Sequence, residues 1–328
     1  MAVTQRDIAE HLGIGQRTVS RAFGSGGALS ADVRERILRA ADVLGYQPHL
    51  GARAMRTGRT GTALLVQGCS HASNARLAPD LYGALHDALV GHDLALGLAR
   101  IGDEGLSGAA LPDTVSSFRA DGLLVSYETN TPDFLPQRLR QLGLPAVWLN
   151  RAQAKDAVYF DDQAGAALAV GDLIARCSSV AYIDVLLHHT PHRHASRDHR
   201  LAGARAAAMG AGRKLHECLP LSERDAAASD AVIQRMLQDL PKPIGVLGYG
   251  HIDLAAVSVA ALRMGLEPGR DLHLAMIADE EPILGVPVTW YLLDSQALAQ
   301  AAAQLLADRL ANARAKRKSR VIPITRPL

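Results

Sequence analysis

The sequence predicts an α/β protein in which a small N-terminal helical domain precedes a larger body of two lobes built on parallel sheets. Three amphipathic helical segments fall within the first 45 residues. From residue 62 onward, apolar strand-like runs alternate with alanine-rich helical stretches, an order typical of parallel sheets covered by helices on both faces. The 328 residues, 48% hydrophobic and 21% charged, suffice for two or three domains with ordinary hydrophobic cores.

The N-terminal segment carries the signals of a helix-turn-helix. Thr4 and Asp7 have the spacing of a capping box, and the first helix ends where Gly13 interrupts it. A second helix is predicted over about Gln16–Phe23, and two short helices joined by a glycine-containing turn form the motif. A third helix is predicted between a Ser30 cap and Gly45. The predicted common core comprises Ile8, Leu12, Ile14, Val19, Phe23, Val33 and Ile37.

Basic charge is concentrated in this segment. Residues 1–60 contain nine arginines and five acidic residues, a net charge of +4, whereas the other 268 residues contain 26 basic and 28 acidic ones. A basic domain on a slightly acidic body is typical of a polyanion-binding module. In a helix-turn-helix the second helix enters the DNA major groove, where arginine suits guanine and glutamine suits adenine. The predicted DNA contacts are Thr4, Gln16, Arg17, Thr18, Ser20 and Arg21. The alternative is a small helical bundle with an ordinary solvated face.

The next segment, residues 48–61, has the pattern of a linker containing a short helix that forms only when docked. Three segments, VTQRDIAEHLGIGQRTVSRAF, LSADVRERILRAADVLGYQP and ARAMRTGRTG, together resemble the DNA-binding head and hinge of the LacI/GalR family of bacterial transcriptional regulators. The resemblance implies further DNA contacts at Leu50, Arg53, Met55 and Arg56, with Met55 at the position of the family's leucine that wedges into the minor groove. Gly15 departs from the family's usual Ser or Thr cap, although glycine is a tolerable cap.

The body of the chain alternates strand and helix. The predicted strands are 62–67, 94–99, 122–126, 145–149, 180–185, 244–249 and 272–277. The predicted helices lie near 79–90, 134–142, 163–176, 198–209, 225–238, 252–264 and 295–312. About 265 residues exceed one comfortable sheet, which indicates two lobes, and ligands in such folds bind at the carboxyl ends of the strands, in the cleft.

The resemblance extends into the body through DDQAGAALAVGDLI, RDHRLAGARAA and VIPITRPL. It implies the two-lobed fold of periplasmic sugar-binding proteins, with crossovers between the lobes near residues 162, 291 and 320. The predicted domains are a helix-turn-helix domain (1–47), a hinge (48–61) and an effector-binding and dimerisation domain (62–328). Within the last, lobe one comprises about 62–162 and 292–320, and lobe two about 163–291 and 321–328.

The resemblance also implies an effector site in the cleft. Arg200, three residues before Gly203, matches the family arginine that contacts effector oxygens; Asp279 and Asn74 match other family positions at the cleft. Arg76 and His251 stand where the family often has an aromatic residue and an aspartate. This exchange of residues adds hydrogen-bond donors, which suit the oxygens of an acid or a phosphate. We therefore expect an anionic effector, a sugar acid or a sugar phosphate.

Other classes of protein find little support in the sequence. The three cysteines are far apart and form no CxxC, which suits a reducing cytosol and argues against a disulfide framework. No apolar run has the length of a signal peptide or a membrane span. Neither a phosphate-loop pattern nor a GxSxG elbow occurs. The histidines of LHHTPHRHASRDH have no spacing typical of metal ligands, so a polar loop is favoured over a metal site.

The sequence therefore predicts a cytoplasmic, homodimeric transcriptional regulator without cofactor, metal or membrane attachment. It would bind a near-palindromic double-stranded DNA operator and act as a repressor controlled by a small sugar-like effector. Two alternatives stay open: a regulator that has lost its small-molecule effector, and an α/β enzyme with an appended DNA-binding head.

Overall fold

The computed structural model describes residues 3–23, 29–46, 58–69, 79–127, 133–152, 155–184, 194–219, 226–312, 314, 316 and 318–327. The chain divides into two compact units, Met1–Gly61 and Thr62–Leu328. In its described part, no helix is long and apolar enough to cross a bilayer.

The first unit contains the three predicted helices. They are α1 (Gln5–Leu12), α2 (Gln16–Ala22) and α3 (Ala31–Leu44). Ile8, Val19 and Ile37, one from each helix, are fully buried at the centre of the unit. Gly13 and Gly45 end α1 and α3 in the left-handed conformation, with φ of 63° and 68°, where glycine is favoured because it has no Cβ. The helix-turn-helix prediction is confirmed, although the Ser30 side chain makes no capping bond to α3.

The second unit begins with a parallel sheet. Its strands are β1 (Thr62–Cys69), β2 (Ala95–Gly102), β3 (Gly122–Tyr127), β4 (Ala146–Leu149), β5 (Ala157–Phe160) and, near the end of the chain, β11 (Arg320–Ile322). In space these described strands have the order β11–β5–β4–β3–β1–β2. The helices of this sheet are α4 (Pro79–Val90), α5 (Asp103–Ser107), α6 (Ala110–Phe118), α7 (Leu135–Gln141) and α12 (Ser295–Ala311). Leu306 of α12 is fully buried against β3, where a Cβ on Gly122 would lie 2.8 Å from it.

The second sheet is also parallel. Its strands are β6 (Ser179–Ile183), β7 (Leu215–Cys218), β8 (Ile244–Gly248), β9 (Leu272–Ala278) and β10 (Val288–Leu292). In space they have the order β10–β9–β8–β6–β7. Its helices are α8 (Asp162–Ile174), α9 (Ala195–Gly210), α10 (Ala226–Asp239) and α11 (His251–Arg263). Together the two sheets confirm the predicted fold class.

The chain passes between the sheets at three neighbouring points. It leaves the first sheet at Asp161, whose N–H bonds the carbonyl of Ile322 at 2.9 Å. It returns after Leu292, whose N–H bonds Thr325 at 2.7 Å, and it passes over once more beyond Ile322. Since Ile322 pairs with Phe160 in the first sheet, residues 321–322 belong to lobe one, and their predicted assignment to lobe two was wrong.

Several elements escaped the sequence prediction because packing rather than pattern specifies them. The stretch containing α5 and α6 is rich in Gly and Ser, yet Leu106 and Leu111 are fully buried against the first sheet. The edge strands β7 and β10 were missed because each has one side unpaired and therefore mixes polar with apolar residues.

Candidate functional site

The first helix of the head is fixed at its start by the predicted capping box. The Thr4 hydroxyl accepts a bond from the N–H of Asp7 at 3.4 Å, and the Asp7 carboxylate accepts from the N–H of Thr4 at 2.7 Å. The bond from the Thr4 N–H and a second one from the Thr4 hydroxyl to the same carboxylate at 2.8 Å lower the pKa of Asp7. The structure thus gives Thr4 a local structural role, and its contact with DNA stays a prediction.

The second helix presents the predicted reading face. Gln16, Arg17 and Arg21 are exposed, whereas Thr18 and Ser20 are half-buried. Among the residues that the structure describes, neither Arg17 nor Arg21 has an acidic partner within ion-pair distance, whereas Arg6 on α1 pairs with Glu10 at 2.9 Å. Gly15 precedes the helix without any side-chain cap. The face therefore offers two uncompensated guanidinium groups and an amide beside an uncapped helix start.

Six of the predicted site residues lie outside the described ranges. They are the hinge residues Leu50, Arg53, Met55 and Arg56 and the cleft residues Asn74 and Arg76. Their roles stay predictions from the sequence.

The second lobe gathers polar side chains at the carboxyl edge of its sheet. Asp184 follows β6, Tyr249 follows β8 and Asp279 follows β9, and parallel neighbours necessarily end at the same edge. Helix α9 starts at this edge and contributes Arg197 and Arg200, which are three residues apart and therefore lie on one face of the helix.

Arg200 is buried and paired. Its Nε donates to Asp162 Oδ1 at 2.7 Å, and the two side chains are 9% and 11% exposed. Burial lowers the pKa of Arg200, but Asp162 and Tyr249 outweigh that effect and hold it above its usual value. The pair is possible because α8 and α9 are in backbone contact: a Cβ on Gly203 would lie 2.0 Å from the carbonyl oxygen of Gln163. Glycine at this position lets the two helices approach closely enough for the bond.

A second ion pair lies beside the first. Arg197 donates through Nε to Asp184 Oδ2 at 2.9 Å and through Nη2 to Asp184 Oδ1, so the contact is bidentate, and both side chains are buried. The Cζ atoms of Arg197 and Arg200 lie 4.6 and 5.0 Å from the centre of the Tyr249 ring. Tyr249 thus contacts both guanidinium groups, an arrangement that fixes their planes.

A chain of hydrogen bonds connects Tyr249 to the start of α9. The Tyr249 hydroxyl lies 2.9 Å from Ser196 Oγ, which lies 2.7 Å from His194 Nδ1. His194 Nδ1 also accepts the N–H of Ser196 at 3.2 Å as the cap of α9. Burial lowers the pKa of His194, as do Arg200 and His199, while Asp162 opposes them. The capping role needs the neutral imidazole, because a protonated ring has no acceptor nitrogen.

Beneath these pairs, the Tyr182 hydroxyl is buried without a hydrogen-bond partner in the described part of the chain. Burial raises its pKa, so it is a neutral donor. His251 is exposed at the start of α11 and Asp279 is half-buried. Among described residues, no hydrogen bond or ion pair connects either of them to Arg200. The structure therefore pairs Arg200 with residues that were not predicted. Among the described residues, it shows no direct bond from Arg200 to the predicted His251 or Asp279.

Comparison with known proteins covers both units. Residues 174–327 match the family model of a periplasmic binding protein-like domain. The HTH-type transcriptional regulator RafR of Escherichia coli is 33% identical over 172 residues, which are 51% of each chain. The regulator CelR of Thermobifida fusca is 26% identical over 325 residues, 92% of this chain and 90% of that one. Over most of its length the chain is thus similar to an HTH-type transcriptional regulator, in agreement with the resemblance to the LacI/GalR family.

Solved structures share the fold over nearly the whole chain. The lac repressor dimer bound to operator and the anti-inducer ONPF superposes with a TM-score of 0.72 at 21% identity, covering 99% of this chain and 97% of that one. The CelR–cellobiose complex superposes with a TM-score of 0.63 at 22% identity, covering 99% and 98%. At these identities the likeness shows the fold. The match to RafR spans about half of that regulator's length.

The residues around Arg200 escaped the sequence analysis: Asp162, Asp184, Arg197 and Tyr249, together with Tyr182 and Ser196. Two signals for them were present. Asp184 and Tyr249 lie at the carboxyl ends of the predicted strands 180–185 and 244–249, and Arg197 has the three-residue helical spacing to Arg200. What the sequence lacked was the pairing of charges, which depends on how α8 and α9 pack.

Proposed function

We propose that this chain is a sequence-specific DNA-binding repressor of the LacI/GalR family whose affinity for its operator is set by a small sugar-like effector. The observation that carries the DNA-binding part is the exposed face of α2, where Arg17 and Arg21 have no acidic partner among described residues. Uncompensated guanidinium groups on a recognition helix suit guanine edges and phosphates.

The paired arginines of the second lobe favour a neutral sugar. Arg200 and Arg197 are each balanced by a buried carboxylate, Asp162 and Asp184, so they bring no net charge to attract an acid or a phosphate. Each pair places donors beside acceptors, and a sugar hydroxyl is both donor and acceptor. We therefore replace the anionic effector expected from the sequence with an uncharged polyol, bound close to Arg200, Arg197 and Tyr249.

Further properties complete the proposal. The chain acts as a homodimer on a near-palindromic operator, because a two-fold dimer matches two half-sites. It works in the cytoplasm, where its target DNA lies, without membrane attachment, and it is a regulator rather than an enzyme. This part of the proposal is supported by the regulators RafR and CelR, to which the chain is similar.

The test is selection of DNA sites from a random duplex library with the full-length protein, followed by calorimetric titration with neutral sugars and the matching sugar acids and sugar phosphates. We expect a near-palindromic consensus and binding of a neutral sugar that changes operator affinity. Arg200→Ala should abolish sugar binding, whereas Arg205→Ala, on the exposed side of the same helix, should not.

Two outcomes would contradict the proposal. Recovery of no sequence preference would remove the operator-binding function. If only sugar acids or sugar phosphates bound, and no neutral sugar did, the effector would be anionic, as expected from the sequence.

A further inference from the structure

A cluster of basic residues near the C-terminus lies at a defined edge of the first lobe. Arg314, Lys316, Arg317 and Lys318 follow α12 and directly precede β11; Arg317 lies outside the described residues. Because β11 is parallel to β5 and shares a sheet with β1, the residues before Arg320 lie at the edge where β1 also begins. We call Arg314, Lys316 and Lys318 the basic segment.

The basic segment is attached to the buried edge of the lobe. Asp156, just before β5, is 3% exposed and accepts the N–H of Lys318 through Oδ1 at 3.2 Å. The other oxygen of Asp156 lies 3.4 Å from Nε of Arg309, in the last turn of α12. The N–H of Arg314 bonds the Asn312 side chain at 3.1 Å. Lys318 is therefore attached to the first lobe through Asp156, whereas Arg314 bonds locally to the residue that follows α12.

The side chains of the basic segment project into solvent. Arg314, Lys316 and Lys318 are all exposed, and among described residues none has a carboxylate within ion-pair distance. The nearby acidic side chains are already engaged: Asp156 as above, Asp308 with Arg320 at 3.6 Å, and Asp121 with the N–H of Thr62 at 3.3 Å. The charge of the segment is therefore uncompensated.

The same edge carries more basic residues. Arg140 lies in the last turn of the helix before β4, and Lys155 precedes β5; both are exposed. From β4 to β11 the edge thus presents exposed cations beside the basic segment. Cations spread along one edge fit an extended polyanion better than a single small anion.

We propose that the basic segment binds the phosphate backbone of DNA, as a contact from the body in addition to those of the head. This inference rests on the proposed DNA-binding function. Strand β1 begins at this edge with Thr62, so the covalent connection to the head starts here. The linker, residues 48–61, spans at most about 50 Å when fully extended. The segment lies only four strand spacings, about 19 Å, from that entry point.

Phosphate contacts of this kind would add affinity without sequence preference, because phosphates carry no direct sequence information. Each phosphate neutralised contributes about 0.9 to the slope of log K against log salt. Three contacts would therefore add about 2.7 to the slope for one chain, which makes their contribution to affinity shrink about 40-fold between 50 and 200 mM salt.

The experiment measures binding of the full-length protein to a fluorescein-labelled 40-base-pair duplex of arbitrary sequence across that salt range. The test variant combines Arg314→Gln, Lys316→Gln and Lys318→Gln. The control removes the same charge from exposed positions of the second lobe with Lys214→Gln, Arg235→Gln and Arg263→Gln. Circular dichroism melting verifies that both variants are folded.

We expect the control to keep the wild-type slope and the test variant to lose about 2 to 3 units of slope for each bound chain. Equal slopes for wild type and test variant, with the wild type binding steeply, would overturn this inference alone. An equal loss in test and control variants would also overturn it, since the effect would then come from net charge. A wild type without salt-dependent DNA binding would overturn the proposed function together with this inference.

Discussion

Arginines in the head and in the second lobe lie in opposite electrostatic environments. Arg17 and Arg21 on α2 are exposed and, within the described residues, unpaired. Arg197 and Arg200 on α9 are buried, each against a carboxylate. Solvent stabilises the first two at little cost, so their charge is available to a polyanion. Arg197 and Arg200 are paired with Asp184 and Asp162 instead of being hydrated. Their charge is therefore neutralised, and what they offer a ligand is hydrogen-bond donors in fixed orientations.

This contrast has a structural cause. The buried residues of helix α2 are Val19 and Ala22, which face the core of the unit. The opposite side of the helix is exposed to water. Helix α9 is closely packed against α8 at Gly203 and against the sheet edge at Tyr249. A charge in such surroundings must be paired, because an unpaired buried charge costs several kcal/mol.

The largest effect is expected from removing one of the buried ion pairs. Arg197→Ala leaves Asp184 buried without its bidentate partner, so we expect the free energy of unfolding to fall by about 3–5 kcal/mol. Urea denaturation at neutral pH measures the change. The matched control is Arg205→Ala, which removes another bidentate pair of α9, to Glu217 at 2.7 Å, at an exposed position; its cost should be below about 1 kcal/mol. Equal costs for the two variants would show that burial does not distinguish the pairs.

The next largest effect is expected from removing an exposed arginine of α2. Arg17→Ala should weaken binding to the selected operator by about 1–3 kcal/mol and relax preference at one base pair in each half-site. Stability should be unchanged, since Arg17 has no partner among described residues. Quantitative gel shifts on the operator and on single-base variants measure both quantities, with Arg6→Ala on α1 as control. A uniform loss across all sequences would instead identify Arg17 as a phosphate contact.

The smallest effect is expected in the pH dependence of stability, through His194 beside the buried pairs. The folded-state pKa of His194 is lowered below the ordinary 6.5, so the unfolded chain takes up this proton first as the pH falls. Stability is therefore full above about pH 6.5 and declines as the pH drops toward the folded-state value, by about 1.4 kcal/mol for each unit of pKa difference.

His194→Asn provides the matched variant, because asparagine is a good helix cap and does not titrate in this range. We expect urea midpoints of the wild type and of His194→Asn to converge near pH 8 and to separate below pH 6.5, with the wild type losing more. The facing groups Asp162, Arg200 and His199 are present in both proteins, so their effects cancel in the difference. Parallel curves from pH 8 to pH 5 would show that His194 does not couple folding to pH.

Much of the fold and part of the site were determined by the sequence itself. Local signals sufficed for the capping box of Thr4 and Asp7, the glycines that end α1 and α3, and the exposed face of α2, because each depends on residues within one or two turns. The alternation of apolar runs likewise specified the major strands, since a buried parallel strand needs a continuous apolar stretch.

Tertiary structure alone decided how the charges of the second lobe are paired. Arg200 and Asp162 are 38 residues apart in the chain, and the sequence shows an arginine that suits an anion but not the carboxylate that already balances it. The pairing exists because Gly203 lets α9 contact α8 and because parallel strands end at one edge, bringing Asp184 and Tyr249 to the same helix. Because Arg197 and Arg200 are buried, their charges must be balanced by carboxylates. This balance, which depends on the packing of the helices, is the reason for proposing a neutral sugar rather than an acid as the effector.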